Sequence, residues 1–321
     1  MSPVNESAKR GLRPPKRKGG KKSGLLIWSE YALFRLIAGT FRRASPESIA
    51  RWGGRTGAFA GRVLPRRTKL ARRNLELVFP GIEPGERDRI VEECWKHYGR
   101  TTFEFMHSID QSIESIAGRF TLSDEIRSAL RAIDSTGGIL VTAHFGSWEF
   151  AIAILAQLER EKAAVARPLD NPRIDEHLNR ARLRAGVQIL DRRNAARPLI
   201  QTLSRGGVVA MVADQAVQPR EGILVPFLGV PAWTTPAPAR LALRFDVPIY
   251  CGFAWPDPAS GHLRLEVDPP IIPARLPEEL RTPEYITTQM NELISTRIRQ
   301  NPELWLWMHD RWKGTPEGNG A

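Results

Sequence analysis

Short apolar segments alternate with longer amphipathic ones from about residue 137 onward. The apolar segments have the length and composition of buried strands, and the segments between them have helical spacing. The predicted strands are 138–143, 163–166, 187–190, 207–213, 248–254 and 262–267, and the predicted helices are 150–158, 172–185, 195–204, 236–244 and 282–300. This alternation predicts an α/β fold with a mostly parallel central sheet flanked by helices.

Residues 24–41 form an apolar segment near the start of the chain. Twelve of its eighteen residues are apolar or aromatic, and Glu30 and Arg35 interrupt them. As a helix the segment would be roughly 27 Å long, which is marginal for crossing a bilayer. We therefore predict that residues 24–42 form a membrane-associating helix lying in the bilayer interface. A strained single span and a buried first helix of the globular part are the alternatives.

The charge of the chain is concentrated at its start. The whole sequence has 47 Lys and Arg against 35 Asp and Glu, a net charge of +12. Residues 1–23 carry eight of the basic residues with one acid, and residues 24–80 carry eleven with three acids. The remaining 241 residues have 28 basic and 31 acidic side chains. This asymmetry argues against a uniformly basic nucleic-acid binder and predicts an anionic partner for the N-terminal region.

Four regions follow from these patterns. We predict a disordered basic arm (1–23), the membrane-associating helix (24–42), a globular domain (43–314) and a flexible tail (315–321). The two cysteines, Cys94 and Cys251, lie far apart in sequence and have no metal-type spacing. They favour a reduced, cytosol-facing compartment.

The segment His144-Phe-Gly-Ser-Trp-Glu149 carries the strongest chemical signal. It lies between a predicted strand and a predicted helix, so His144 is expected at the carboxyl end of a strand. A histidine with a carboxylate in reach can act as a general base whose partner orients the imidazole. Gly146 would let the backbone approach a ligand closely. A purely structural histidine–carboxylate pair is the alternative.

Other polar residues follow other predicted strands. Arg167 follows 163–166, Asp191 follows 187–190, and Asp214 and Gln215 follow 207–213. In parallel sheets, sites form at the carboxyl ends of strands, so these positions favour a common site over isolated capping residues.

His144 and Glu149 match the H-x4-[DE] signature of glycerolipid-type acyltransferases. The fuller His144–Glu149 segment resembles the H-x-G-N-W-E motif of the bacterial lipid A late acyltransferases, with Ser147 in place of Asn. Five further blocks resemble that family in the same order across residues 25–314. They are Arg73-Asn-Leu75 with Phe79-Pro80, Arg167-Pro-Leu-Asp-Asn-Pro172, Gly207 through Asp214-Gln215, Val225-Pro-Phe-Leu-Gly229, and Trp305-Leu-Trp-Met-His-Asp-Arg-Trp-Lys313.

The resemblance implies an acyltransferase, of the class transferring groups other than aminoacyl groups, that forms no covalent intermediate. His144 would deprotonate a hydroxyl of a lipid A precursor, and the alkoxide would attack a thioester of acyl-carrier protein or coenzyme A. Glu149 would hold His144, and Arg167 would bind acceptor phosphate through its fork of donors. The other substrate-binding candidates are Gly146, Trp148, Asp214, Gln215 and Arg311. No metal ion and no cofactor is implied.

The same resemblance implies an enzyme of lipopolysaccharide biosynthesis at the cytoplasmic face of the cell inner membrane, with an anionic membrane surface as a partner. Docking of an acidic acyl-carrier protein is the alternative role for the basic cluster Arg66, Arg67, Lys69, Arg72 and Arg73. An acceptor such as a phosphatidylinositol mannoside or an aminolipid is the alternative for the same chemistry. A nucleic-acid-binding protein and a catalytically inactive scaffold are minor alternatives. For the tryptophan-rich segment 305–313, core packing is the competing interpretation.

Overall fold

The computed structural model describes residues 23–41, 44–257 and 262–319. Residues 1–22 of the predicted basic arm lie outside the described residues. The helices are α1 Gly24–Phe41, α2 Pro46–Val63, α3 Pro65–Val78, α4 Pro84–Ser108, α5 Ile113–Ala117, α6 Asp124–Thr136, α7 Ala151–Leu155, α8 Pro172–Arg184, α9 Ala196–Ser204, α10 Ala237–Phe245, α11 Pro283–Gln300 and α12 Pro316–Asn319. The strands are β1 Phe120–Thr121, β2 Gly138–Thr142, β3 Lys162–Ala166, β4 Val187–Asp191, β5 Val208–Val212, β6 Ile223–Phe227, β7 Val230–Thr234, β8 Ile249–Pro256 and β9 Leu263–Val267.

Within the described residues, seven strands form the central sheet, in the order β1-β9-β8-β2-β5-β3-β4. All neighbouring pairs are parallel except β8 and β9, which are antiparallel. The prediction of an α/β fold with a mostly parallel sheet and flanking helices is therefore confirmed. The pairing of β2 with β5 joins segments about seventy residues apart, with Thr142 opposite Val212.

Both faces of the sheet are covered. Ile139 and Val141 pack on one face against residues of α4, α9, α10 and α11. Val208 and Tyr250 pack on the other face, together with residues of α6 and α7. Burial on both faces explains why these strands read as continuous apolar runs in the sequence.

The segment 225–229 is part of a hairpin outside the main sheet. β6 and β7 pair antiparallel through a tight turn at Leu228 and Gly229, both of which have positive φ. Phe227 points inward and packs against Trp305 and Trp312. The hairpin therefore forms one wall around the tryptophan-rich segment.

Helix α1 covers the predicted segment as far as Phe41, the last described residue before the gap, and one side of it packs on the domain. Phe34 is buried with Ile109 and Leu178, which lie in or beside α4 and α8. Asn171 donates from Nδ2 to the Ile27 carbonyl and to the Glu30 carboxylate, both at 2.9 Å. Ala38 is also buried, whereas several other apolar side chains of this helix are exposed, among them Leu25, Leu33 and Leu36. Among the helices of the described residues, none combines the length and apolar character that crossing a bilayer requires.

The tryptophan-rich segment 305–313 packs in the core, as the competing interpretation predicted. Hydrogen bonds from a residue distant in sequence hold it in place. Trp305, Trp307 and Trp312 are fully buried. Asn74 of α3, also fully buried, donates from Nδ2 to the carbonyls of Trp307 and His309 at 2.9 and 2.8 Å. The Arg-x-Asn-Leu block and the terminal block of the sequence thus contact each other directly in the fold.

The chain end continues this packing. Pro316–Asn319, within the segment predicted as a flexible tail, form the short helix α12. Thr315 is fully buried and donates from its hydroxyl to the Trp312 carbonyl at 2.8 Å.

Replacing Asn74 by Leu is expected to lower stability by about 1–3 kcal/mol, because the buried Trp307 carbonyl loses its donor while the His309 carbonyl keeps the backbone N–H of Arg311. Thermal melting followed by tryptophan fluorescence measures the loss. Asn179→Ala is the matched control, since Asn179 is half-buried on α8 and its side-chain bonds, to Asp175 and from Arg182, stay within that helix. Equal melting temperatures for the Asn74 and Asn179 variants would show that the Asn74 hydrogen bonds do not stabilise the 305–313 segment.

Candidate active site

Strand register brings His144 and Asp214 together. His144 lies two residues beyond Thr142 of β2, and Asp214 lies two residues beyond Val212 of β5. Since Thr142 and Val212 are opposite each other, the two residues leave the sheet side by side. The Ala213 N–H continues the pairing by donating to the Thr142 carbonyl at 3.0 Å.

The Asp214 carboxylate holds His144 at two points. Its Oδ1 accepts from Nδ1 of His144 at 2.8 Å, and its Oδ2 accepts from the backbone N–H of His144 at 3.0 Å. Trp305 donates from Nε1 to the same Oδ2 at 2.8 Å. The side chain of Asp214 is 2% exposed and that of His144 is 23% exposed. A buried acceptor on Nδ1 fixes the tautomer of His144 that carries its lone pair on Nε2.

The pair strengthens His144 as a base. Burial by itself lowers the pKa of His144, but the Asp214 charge and hydrogen bond, with a smaller contribution from the charge of Glu149, outweigh it and the pKa is raised. Burial raises the pKa of Asp214, but the contacts with His144 and Trp305 outweigh it and the pKa is lowered. Asp214 therefore stays ionised and supports proton uptake by His144.

Glu149 does not make the expected contact with His144. Its carboxylate accepts two hydrogen bonds from Nη2 of Arg182, at 2.9 and 3.2 Å, whereas the carboxylate bonded to His144 is that of Asp214. Residues 148–150 form one turn of 3-10 helix, and the turn carries Glu149 to α8. Glu149 acts on His144 through its charge, and the orienting carboxylate is Asp214.

The aromatic and glycine positions of the motif have distinct roles. The Trp148 ring packs between His144 and Tyr98, with centroid distances of 5.4 and 5.5 Å. Gly146 has φ of +58°, and a Cβ there would lie 2.2 Å from the Ala254 carbonyl oxygen. The close approach that requires glycine is thus to the neighbouring strand β8, and not to a ligand as we expected.

The two predicted arginines lie in opposite environments. Arg167 is exposed directly after β3, and no hydrogen bond or ion pair ties its guanidinium within the described part of the chain. Arg311 is fully buried, with Nη1 donating to the Trp233 carbonyl at 2.8 Å and Nη2 to the Thr234 hydroxyl at 2.6 Å. Burial lowers the pKa of Arg311 to about 10. The prediction of Arg311 as a substrate-binding residue does not agree with this position, because the side chain is fully buried and both of its Nη atoms donate to the hairpin.

Gln215 completes the immediate surroundings of His144. Its Nε2 lies 3.2 Å from Nε2 of His144, the nitrogen on the side away from Asp214. The next residue, Ala216, donates its backbone N–H to Nε2 of His309 at 3.2 Å. The predicted residues His144, Trp148, Asp214 and Gln215 therefore share one site, and Glu149 lies next to it.

A model of the family described as bacterial lipid A biosynthesis acyltransferase matches residues 20–314. The chain belongs to this family. It is 28% identical over 276 residues to the lipid A biosynthesis lauroyltransferase of Escherichia coli (strain K12), covering 84% of this chain and 87% of that protein. It is 27% identical over 271 residues to the lipid A biosynthesis palmitoleoyltransferase of the same strain, covering 84% and 86%.

A likeness to a solved structure was also found. The 1-acyl-sn-glycerophosphate acyltransferase of Thermotoga maritima superposes with a TM-score of 0.36 and 14% identity, covering 73% of this chain and 97% of that chain. From the family match and the named relatives, the protein is an acyltransferase of lipid A biosynthesis.

Three residues that support this acyltransferase site were missed in the sequence. His97 of α4 lies 3.1 Å through Nε2 from the Gly146 carbonyl, and burial lowers its pKa to about 4, so it is a neutral donor. His309 accepts from the loop after β5, and Arg182 pairs with Glu149. His97 gave no signal beyond its place on an apolar helix face, whereas His309 lies in a block that was recognised.

Asp214→Asn is expected to move the acid limb of kcat/KM to lower pH. In the native enzyme activity should fall as His144 becomes protonated, at a pH above the ordinary histidine value, because Asp214 raises its pKa. Without that charge, burial dominates and the pKa of His144 falls. The maximal kcat/KM should fall by roughly 10²–10⁴-fold, because His144 is no longer held as an oriented base.

The pH profile of acyl transfer measures both effects. Asp191→Asn is the matched control, because Asp191 also ends a strand but lies on β4, two strands away from β5. An acid limb that stays in place in Asp214→Asn would show that Asp214 does not set the basicity of His144.

Proposed function

We propose that the protein transfers a fatty acyl chain from an acyl thioester to a hydroxyl group of a lipid A precursor, with His144 as general base and Asp214 as its orienting carboxylate. The observation that carries this proposal is the His144–Asp214 pair at the carboxyl edge of the sheet, with Nδ1 and the backbone N–H of His144 both bonded to one buried carboxylate. The named relatives act in lipid A biosynthesis, which supports the acceptor class.

The reaction needs one proton acceptor and no change of oxidation state. Nε2 of His144 takes the proton of the acceptor hydroxyl while that oxygen attacks the thioester carbonyl carbon. The carbonyl π electrons move onto oxygen, and the tetrahedral intermediate collapses with cleavage of the C–S bond. The thiolate leaves and takes the proton from the imidazolium, while Asp214 stabilises the positive charge in the interval.

The donor is proposed to be a thioester of acyl-carrier protein or coenzyme A, and no cofactor takes part in these steps. Arg167, exposed beyond the end of β3, is proposed to bind an acceptor phosphate. A guanidinium suits this task because it presents paired donors and stays charged.

Attachment to the cytoplasmic face of the inner membrane is proposed through α1 and α2. Beside the exposed leucines of α1, helix α2 exposes Trp52, Phe59 and Val63, which share one helical face. The exposed residues Arg51, Arg55 and Arg62 lie along that face, and their charge matches an anionic headgroup layer. Apolar burial with adjacent positive charge is the pattern of a helix lying in the interface.

His144→Ala is expected to lower acyl transfer by at least about 10²–10⁴-fold, the usual contribution of a general base. The assay follows transfer from lauroyl-coenzyme A or lauroyl-acyl-carrier protein to a disaccharide lipid A precursor. His262→Ala, which removes an exposed histidine near β9, is the control and should keep full activity. Retention of wild-type activity in His144→Ala would contradict the mechanism.

Mass spectrometry of envelope lipids tests the acceptor. Cells without the gene, or with only the His144→Ala protein, should lack one acyl chain on lipid A. A missing acyl chain on a phosphatidylinositol mannoside or an aminolipid, with lipid A unchanged, would assign the same chemistry to that other acceptor.

Replacing Leu33 and Leu36 of α1 together by Glu is expected to weaken binding to phosphatidylglycerol vesicles at least about tenfold, since burying each leucine contributes about 1.5–3 kcal/mol. Cosedimentation at fixed salt measures the binding. The control replaces Leu183 and Leu224, which are exposed on α8 and β6, by Glu. Equal loss in both double variants would argue against α1 as the membrane contact.

A further inference from the structure

The Gln215 side chain occupies the position in front of the proton-accepting nitrogen. Its Nε2 lies 3.2 Å from Nε2 of His144. Because Asp214 takes the N–H of Nδ1, neutral His144 presents a lone pair at Nε2. A lone pair is satisfied by a donor, so the amide turns its NH2 group, and not its oxygen, toward the ring.

The same position is needed by the acceptor hydroxyl. A general base must lie within about 2.6–3.2 Å of the group it deprotonates. The single lone pair on Nε2 of His144 cannot accept hydrogen bonds from the amide and from the hydroxyl at the same time. The amide must therefore move aside when the acceptor binds. In the free enzyme, the Gln215 amide therefore occupies the hydrogen-bonding position at Nε2 of His144 that the acceptor hydroxyl needs in order to react.

The backbone at Gln215 limits where that amide can go. Asp214 on one side is held by His144 and Trp305, and Ala216 on the other side donates to His309. With both neighbours fixed, the displacement is a change of side-chain rotamer about a fixed Cα. The NH2 group consequently stays beside the atoms that react on Nε2.

We propose that Gln215 is a catalytic residue whose amide is displaced from His144 by the acceptor hydroxyl and then donates a hydrogen bond to the oxyanion of the tetrahedral intermediate. This inference rests on the proposed function. In the step concerned, the hydroxyl proton passes to His144, the C–O bond forms, and the carbonyl π electrons become the oxyanion lone pair that the Gln215 N–H binds. When the C–S bond breaks, the carbonyl re-forms, and the amide returns to Nε2 after release.

A donor aimed at charge that exists only in the transition state raises kcat without tightening substrate binding. Gln215→Ala should therefore lower kcat about 10²–10³-fold with little change in KM for either substrate, the usual effect of losing one oxyanion donor. Gln215→Glu keeps the shape but removes the donor, so its kcat should be similarly low. Its carboxylate would also stabilise protonated His144, which moves the acid limb of kcat/KM to higher pH.

The experiment measures kcat and KM of the full-length protein with lauroyl-coenzyme A and a disaccharide lipid A precursor, together with thermal melting of each variant. Gln201→Ala is the matched control, because Gln201 is exposed on α9, away from the site. The expected result is a low kcat in both Gln215 variants, unchanged melting, the acid-limb shift in Gln215→Glu, and wild-type kinetics in Gln201→Ala.

Two outcomes would overturn the inference. A kcat that is unchanged or higher in Gln215→Ala would mean that the amide only blocks Nε2. A raised KM with unchanged kcat would mean that it binds the ground state alone. His144→Ala is measured in the same assay. If His144→Ala is inactive while Gln215→Ala is active, the inference about Gln215 fails and the proposed function stands. An active His144→Ala would contradict both the inference and the proposed function.

Discussion

The buried carboxylate of Asp214 is the interaction on which the site depends. It accepts hydrogen bonds from the backbone and ring of His144 and from the indole of Trp305, so it ties the loop after β2 and the chain end to the loop after β5. A buried charge is costly unless it is paired and hydrogen-bonded. The three donors meet that requirement, and the ionised carboxylate they preserve is what keeps His144 a strong base.

Backbone contacts then hold the loop that carries His144. Leu306 donates to the His144 carbonyl, Gly146 donates to the Leu304 carbonyl, and Ser147 donates to the Ala254 carbonyl. The chain end supplies two of these three contacts, and Asn74 of α3 clamps that same chain end. The packing of tryptophans in the core and the placement of His144 are therefore parts of one arrangement, which brings blocks far apart in sequence to a single site.

The N-terminal region is attached to the domain next to the site. Asn171 caps α8 by accepting from the backbone N–H groups of Arg173 and Ile174, and it also binds α1. At the other end of α8, Arg182 holds Glu149. Helix α8 thus contacts α1 at one end and Glu149, next to the site, at the other.

Local patterns in the sequence were sufficient for the strands β2 to β5, β8 and β9, for the mostly parallel character of the sheet, and for the position of His144 at a strand end, because each depends on short-range periodicity. They did not predict β1 or the pairing of β6 with β7. Only the tertiary structure decided which carboxylate serves His144. Glu149 is near in sequence but turns away to Arg182, whereas Asp214, seventy residues on, is brought beside His144 by the register of β2 with β5. Arg311 shows the same limit of sequence-based prediction. An arginine in this block suggested contact with a ligand, whereas its side chain donates to the hairpin β6–β7. Strand neighbours and buried partners arise from long-range packing, which no local pattern in one sequence contains.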